Sequence, residues 1–200
     1  MKDLKAIIWD WGGVFCVAGE HFSNQRMLEQ AGMTPEQMSD SSKDIEREFY
    51  LGEISEAEFW NRIIEKYSLK GISREDLRKS YFESYRPYPE IIDIAKKVRQ
   101  NYKTALLSNL AVDMSERIRK LHGIDNLFEI KIFSHEVGMM KPDERIYNLM
   151  LDKLQLKPQE CLFIDDSKTN TDAAERLGIN TIHFKTPEQA ISEMRSRGLF

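Results

Sequence analysis

The stretch "IIWDWGGVF", residues 7–15, runs an apolar strand into one aspartate and then two glycines. A β-rich run of this kind, bounded by glycine, reads as a short buried strand followed by a tight turn. Asp10 stands where the strand ends, and a strand-end acid is either a turn former or a chemical group. Gly12, two residues on, carries no side chain. If the strand is one of several parallel strands, Asp10 lies on the edge where such sheets bind ligands.

The rest of the chain supplies those strands. β-rich runs are expected at residues 5–9, 103–107, 130–133, 161–164 and 181–184. Helical periodicity falls between the later ones: Ile91, Ala95 and Val98; Met114, Ile118 and Leu121; Ile146, Met150 and Leu154; Ala173, Ala174 and Leu177. Strand and helix alternate, which predicts an α/β fold: a doubly wound, Rossmann-like parallel sheet covered on both faces.

Residues 19–85 break the alternation and predict a small inserted helical cap domain, leaving 1–18 and 86–200 as the α/β core. "TPEQ" at residues 34–37 offers a cap, a proline at the first helical position and a glutamine to close a capping box, and "SEAE" at 55–58 repeats the logic. Phe59, Ile63 and Tyr67 form one stripe. "YRPYPE" at 85–90 reads as the return linker, because prolines disfavour continuing helix.

Two hundred residues suffice for a proper core, and 41% hydrophobic with 31% charged residues is ordinary for a soluble protein. A net charge of −4 supplies no general attraction to nucleic acid or to an anionic membrane, so a small-molecule substrate is expected. The short apolar run at the N-terminus, broken by Asp10, fits a strand and not a signal peptide, and the expected location is the cytoplasm. Cys16 and Cys161 lack metal-ligand spacing and read as reduced core thiols.

Polar residues end or follow four of the strands: Asp10; Ser108 and Asn109; Lys141; Asp165 and Asp166. Alone, each has a plain structural reading as a cap, a turn or a solvated charge. Adjacent acids after "CLFI" are harder to dismiss, since like charges near a buried edge repel unless a cation sits between them.

Taken in order, "IIWDWGGV", "ALLSNL", "KPDERIY" and "CLFIDDSKTNTDAAERLGI" resemble the four motifs of the haloacid dehalogenase-like hydrolase superfamily. "LGEISEAEFW" at 51–60 is similar to a cap segment of its phosphatase branch, near glucose-1-phosphate phosphatases and epoxide hydrolase N-terminal domains. The resemblance implies a hydrolase acting on a small phosphorylated substrate with Mg²⁺. Asp10 matches the nucleophile that forms an aspartyl-phosphate, and Ser108, with Asn109 beside it, matches the phosphoryl-binding hydroxyl. Lys141 matches the charge-offsetting lysine, and Asp165 and Asp166 match the metal-binding pair. Asp10 and the Gly12 carbonyl would complete the metal's ligands. Main-chain N–H groups of the turn at residues 11–14, Gly13 among them, would cradle phosphate.

The physical chemistry agrees. An anionic nucleophile approaching an anionic phosphate needs compensating cations, and Mg²⁺ takes carboxylate, carbonyl and water ligands. Gly12 is the departure: the family's phosphatases usually place a second aspartate there, which protonates the leaving oxygen. Its absence leaves open a phosphatase using another proton carrier, a metal-independent 2-haloacid dehalogenase, and a binding module without turnover. His21 is one candidate carrier. Arg26, Arg47, Tyr50 and Trp60 are candidate cap residues for substrate choice, while Trp9 and Trp11 read mainly as packing.

Overall fold

Alternation along the central strand sets the layers of this protein, whose computed structural model describes residues 3–17 and 22–200. In chain order the elements begin with β1 (Ala6–Trp9) and β2 (Cys16–Val17), followed by the helices α1 (Gln25–Ala31), α2 (Pro35–Tyr50), α3 (Glu56–Lys66) and α4 (Arg74–Ser84). The chain returns through β3 (Arg86–Pro87), α5 (Pro89–Val98), β4 (Lys103–Ser108), α6 (Val112–His122), α7 (Ile124–Leu127), β5 (Ile130–Phe133) and α8 (Ser134–Val137). It ends with α9 (Glu144–Leu154), β6 (Cys161–Asp165), α10 (Lys168–Arg176), β7 (Asn180–His183) and α11 (Pro187–Ser196).

Five strands form one sheet in the order β5-β4-β1-β6-β7, and every pairing is parallel. Ile7 and Trp9 enter the apolar cluster that takes Ile91, Ala95 and Val98 of α5 and Met194 of α11. Ala6 and Ile8 enter the opposite cluster, with Ile146 and Met150 of α9 and Ala173 and Ala174 of α10. Successive side chains point to opposite faces, so a strand covered on both sides reads as unbroken apolar sequence. The doubly wound α/β expectation holds.

The helices between β2 and β3 follow their caps. Thr34 and Gln37 form the reciprocal capping box foreseen at α2. At α3 the hydroxyl of Ser55 accepts from the Glu58 N–H, but Glu58 does not return the bond; its carboxylate takes a 2.6 Å contact from Arg62 instead. The "YRPYPE" segment is more than a linker, because Arg86 and Pro87 pair antiparallel with Val17 and Cys16 and close the base of the insertion. Phe49, Phe59, Trp60, Ile63 and Leu77 continue the Trp9 cluster without a break. Leu121, expected on the buried stripe of α6, is 55% exposed, since that stripe ends at Ile118.

Candidate active site

Asp10 follows β1, and its N–H extends the ladder to the Ile164 carbonyl at 2.9 Å. The chain then turns back on the Trp11 carbonyl, which accepts from Phe15 N–H at 2.9 Å and Val14 N–H at 3.3 Å. The Trp11 ring stacks on Phe15 with centroids 5.0 Å apart, so packing is its observed role. β1 lies where the strand order switches direction from β4 to β6, which is where open parallel sheets bind ligands.

Lys141 is 1% exposed, and its ammonium reaches Asp10 Oδ1 at 2.9 Å and Asp165 Oδ2 at 2.6 Å. Burial alone would lower its pKa, but the two carboxylates outweigh burial and hold it above the usual lysine value. Burial pushes Asp10 up to about 7; Lys141 opposes this, while Asp165 and Asp166 add to it. Asp166 is also raised, by burial first and then by the charge of Asp165.

The two adjacent acids do different work. Asp165 accepts from Lys141, from the Ser167 N–H at 2.8 Å, and from Asn170 Nδ2 at 3.1 and 3.2 Å. A carboxylate offers about four lone-pair positions, so Asp165 is largely occupied and serves to hold Lys141. Asp166 takes no hydrogen bond from another described side chain, and Lys141 and Trp11 N–H both address Asp10 Oδ1, leaving Oδ2. Ligand oxygens of Asp10, Asp165 and Asp166 all lie within 4.8 Å of one another. Three carboxylates share one ammonium, an excess of negative charge that a hard divalent cation such as Mg²⁺ fits. Asp10 Oδ2 and the Asp166 carboxylate, which no other described side chain bonds, offer it ligand oxygens.

Ser108 ends β4, 1% exposed, and its hydroxyl takes no hydrogen bond from the described residues. Asn109 has a different job from the one expected of its side chain. Its amide accepts from Lys141 N–H at 2.8 Å and donates to Lys141 O at 2.9 Å, clamping the lysine's main chain. Within the expected phosphate cradle, Trp11 N–H is engaged by Asp10 and Val14 N–H by the Trp11 carbonyl, which narrows the cradle to Gly12 and Gly13.

These two glycines differ. Gly13 has φ of 75°, and a Cβ there would meet Asp166 Oδ2 at 2.1 Å, so the turn and the second acid fit only without a side chain. A Cβ on Gly12 would meet nothing within 4 Å, and its φ is not positive. The backbone therefore does not require glycine at position 12.

Two contacts escaped the sequence reading. Asn170 lies within the "DDSKTN" stretch but attracted no attention beside two acids. His183 Nε2–H donates to the Asp166 carbonyl at 2.9 Å and braces the acidic loop. His21 lies outside the described residues. Cys16 and Cys161 are free and buried, each thiol pushed up to about 12 by burial, which makes them inert.

Among the proposed insert contacts, Arg26 bonds the Gly71 carbonyl, Arg47 faces Glu53 at 3.9 Å, and Trp60 is buried against Phe59. Burial raises the Tyr50 phenol's pKa, and the charges of Glu46 and Asp10 add to the rise.

The family model described as haloacid dehalogenase-like hydrolase matches residues 4–178. The chain belongs to this family. Three curated relatives are similar to parts or most of it. Bifunctional epoxide hydrolase 2 of Sus scrofa is 31% identical over 137 residues, covering 66% of this chain and 24% of the relative, so the chain spans about a quarter of that protein. The phosphorylated carbohydrates phosphatase of Thermotoga maritima is 25% identical over 190 residues, covering 90% and 84%. (S)-2-haloacid dehalogenase 4A of Burkholderia cepacia is 23% identical, covering 91% and 83%. Among solved structures, a haloacid dehalogenase-family enzyme of Bacteroides thetaiotaomicron in complex with magnesium and inorganic phosphate superposes with a TM-score of 0.71 at 25% identity, covering 91% and 94%. Among the described residues of this family member, no helix is long and apolar enough to cross a membrane.

Proposed function

We propose that this hydrolase is a Mg²⁺-dependent phosphomonoesterase that acts on a small phosphorylated metabolite through an aspartyl-phosphate at Asp10. The observation that carries this reading is the buried Asp10–Lys141–Asp165 chain with Asp166 and, on the same sheet edge, a Ser108 hydroxyl that takes no hydrogen bond from the described residues. The magnesium and phosphate held by a similar family member support it.

In this mechanism Asp10 attacks phosphorus, the P–O ester bond breaks, and the leaving oxygen takes a proton from solvent water to become a hydroxyl group. Water then attacks the aspartyl-phosphate, giving inorganic phosphate and restoring the Asp10 carboxylate. Lys141 binds a phosphoryl oxygen and offsets charge on the nucleophile, Ser108 donates to a second oxygen, and the N–H groups of Gly12 and Gly13 complete the cradle. Mg²⁺, held by Asp10, Asp166 and the Gly12 carbonyl with Asp165 behind them, would supply Lewis-acid stabilisation of the phosphoryl charge.

Gly12 offers no acid to the leaving group. Substrates whose leaving oxygen needs little protonation, such as anomeric sugar, aryl and acyl phosphates, suit such a site best. The helices α1–α4 act as a cap domain that sets substrate choice, and the enzyme works in the cytoplasm without nucleic acid or membrane partners. A dehalogenase is disfavoured, because three carboxylates make a poor setting for a substrate carboxylate without a cation.

The test is a Mg²⁺-supplemented screen of these phosphate classes with Asp10→Asn as control. Phosphate release that the variant abolishes is expected. Equal release by the variant removes Asp10 from the mechanism. Thermal stabilisation by phosphate compounds without product favours a binding module, and chloride release from a 2-haloacid in EDTA favours the dehalogenase.

A further inference from the structure

One buried hydroxyl joins the site to the insert. Ser134 follows β5, is fully buried, and accepts from Leu110 N–H at 3.0 Å while donating to the Tyr50 carbonyl at 2.6 Å. A hydroxyl has one proton to give, so the two partners define its orientation: the N–H must donate to it and the carbonyl must accept.

Each partner matters for a separate reason. Leu110 is two residues past Ser108, in the loop between β4 and α6. That loop has little internal support, because Ala111 caps α6 without a side-chain bond and Asn109 turns its amide to Lys141. Tyr50 ends α2, and its carbonyl meets Ser134 just past β5, which ends on the same sheet edge as β4 and β1. Beside it, Gly52 approaches His135 so closely that a Cβ would lie 3.1 Å from the His135 Cβ, and His135 Nε2 lies 3.0 Å from Ser115 Oγ. The dipeptide 134–135 is thus a seat on which the end of α2 rests.

We infer that Ser134 is a positioning residue: its hydroxyl sets the Ser108 loop and the Tyr50 end of the insert relative to Asp10, so that the phosphoryl group and the remainder of the substrate are held together. The inference rests on the phosphatase reading above and adds to it a link between phosphate binding and the insert. Without the hydroxyl, the Leu110 N–H and the Tyr50 carbonyl lose their partner and the loop relaxes. The interaction acts equally on bound substrate and transition state, so its loss raises KM and leaves kcat nearly unchanged.

Threonine and valine at this position have nearly the same shape and differ in the hydroxyl, so their comparison isolates the bond from the cost of an added methyl. We expect Ser134→Thr to keep KM for an aryl phosphate within about threefold of the parent value, and Ser134→Val to raise it about tenfold or more at similar kcat, one decade being about 1.4 kcal/mol. Inorganic phosphate should inhibit the valine variant correspondingly less, and its Leu110 amide should exchange faster. Equal KM and equal exchange in the two variants overturn the inference. So does a valine variant that fails to fold while the threonine variant folds, since the hydroxyl is then structural. If the parent protein releases no phosphate with Mg²⁺ from any substrate tried, the phosphatase reading fails, and the Leu110 exchange comparison decides separately whether the hydroxyl holds the loop.

Discussion

The strand-end edge and the helical insert handle charge in opposite ways. At the edge, Lys141 and Asp165 are 1% and 0% exposed and each contacts named partners. In the insert, charged side chains remain near water: Arg62, with Glu48 and Glu58 about it, is 38% exposed, and its partners 33% and 48%. Burying charge is costly unless it is paired and hydrogen-bonded, whereas a solvated pair changes stability little. The difference teaches that the edge buries its charges against one another, while the insert buries apolar side chains and leaves its charges in water.

Breaking the edge should have the largest effect. Lys141→Met leaves Asp10 and Asp165 buried without their cation, and removal of one partner from such a pair typically costs about 3–5 kcal/mol. Urea unfolding without metal should show this loss, and Mg²⁺ should recover part of it. A variant as stable as the parent would mean that the Lys141 contacts contribute nothing net to folding.

A second change asks which region supplies the proton. Gly12→Asp has room for its side chain and no adverse φ, and general acid–base assistance is worth about 10² to 10⁴ in rate. Faster release from alkyl phosphates than the parent achieves is expected. A folded, metal-binding variant with no gain would argue that another acid already serves.

The pH dependence of stability sharpens the contrast further. Asp10 titrates near 7 in the folded protein and near 3.8 when unfolded, so the folded state binds more protons between these values. Its contribution to metal-free stability is therefore full below about pH 4 and is lost as pH rises through about 7. His122 and His135, whose pKa values burial lowers, act in the opposite sense near neutrality. The thermal midpoint of the parent minus that of Asp10→Asn should consequently fall from pH 5 to pH 8, and Mg²⁺ should flatten the slope. A difference that rises with pH would contradict the burial of Asp10.

The smallest effect belongs to the insert. Arg62→Ala removes two exposed ion pairs and should lower stability by about 1 kcal/mol or less. A larger loss by denaturant unfolding would mean that the insert depends on its surface charges as the edge does.

Much of this was legible in the residues. The five β-rich runs, the parallel sheet and the meeting of Asp10, Lys141, Asp165 and Asp166, with Ser108 on the same sheet edge, follow from apolar runs that end in polar residues. The same rule reaches one residue further: "KIFS" ends in a serine as "ALLS" does, but Ser134 carries less chemical signal than Lys141, seven residues later. A serine at a strand end gives no sign by itself of which distant peptide it will bind.

The sequence by itself determined the alternation of strand and helix, because side-chain periodicity and caps are local properties of a chain. It also determined which residue types reach the sheet edge. Only the tertiary structure decided that Asp165 holds Lys141 while Asp166 stays open, that Asn109 clamps the lysine's main chain, and that glycine is required at 13 but not at 12. Those distinctions depend on which hydrogen-bond partners and which atoms of distant segments come within reach, and adjacent residues of the same type carry no local mark of that difference.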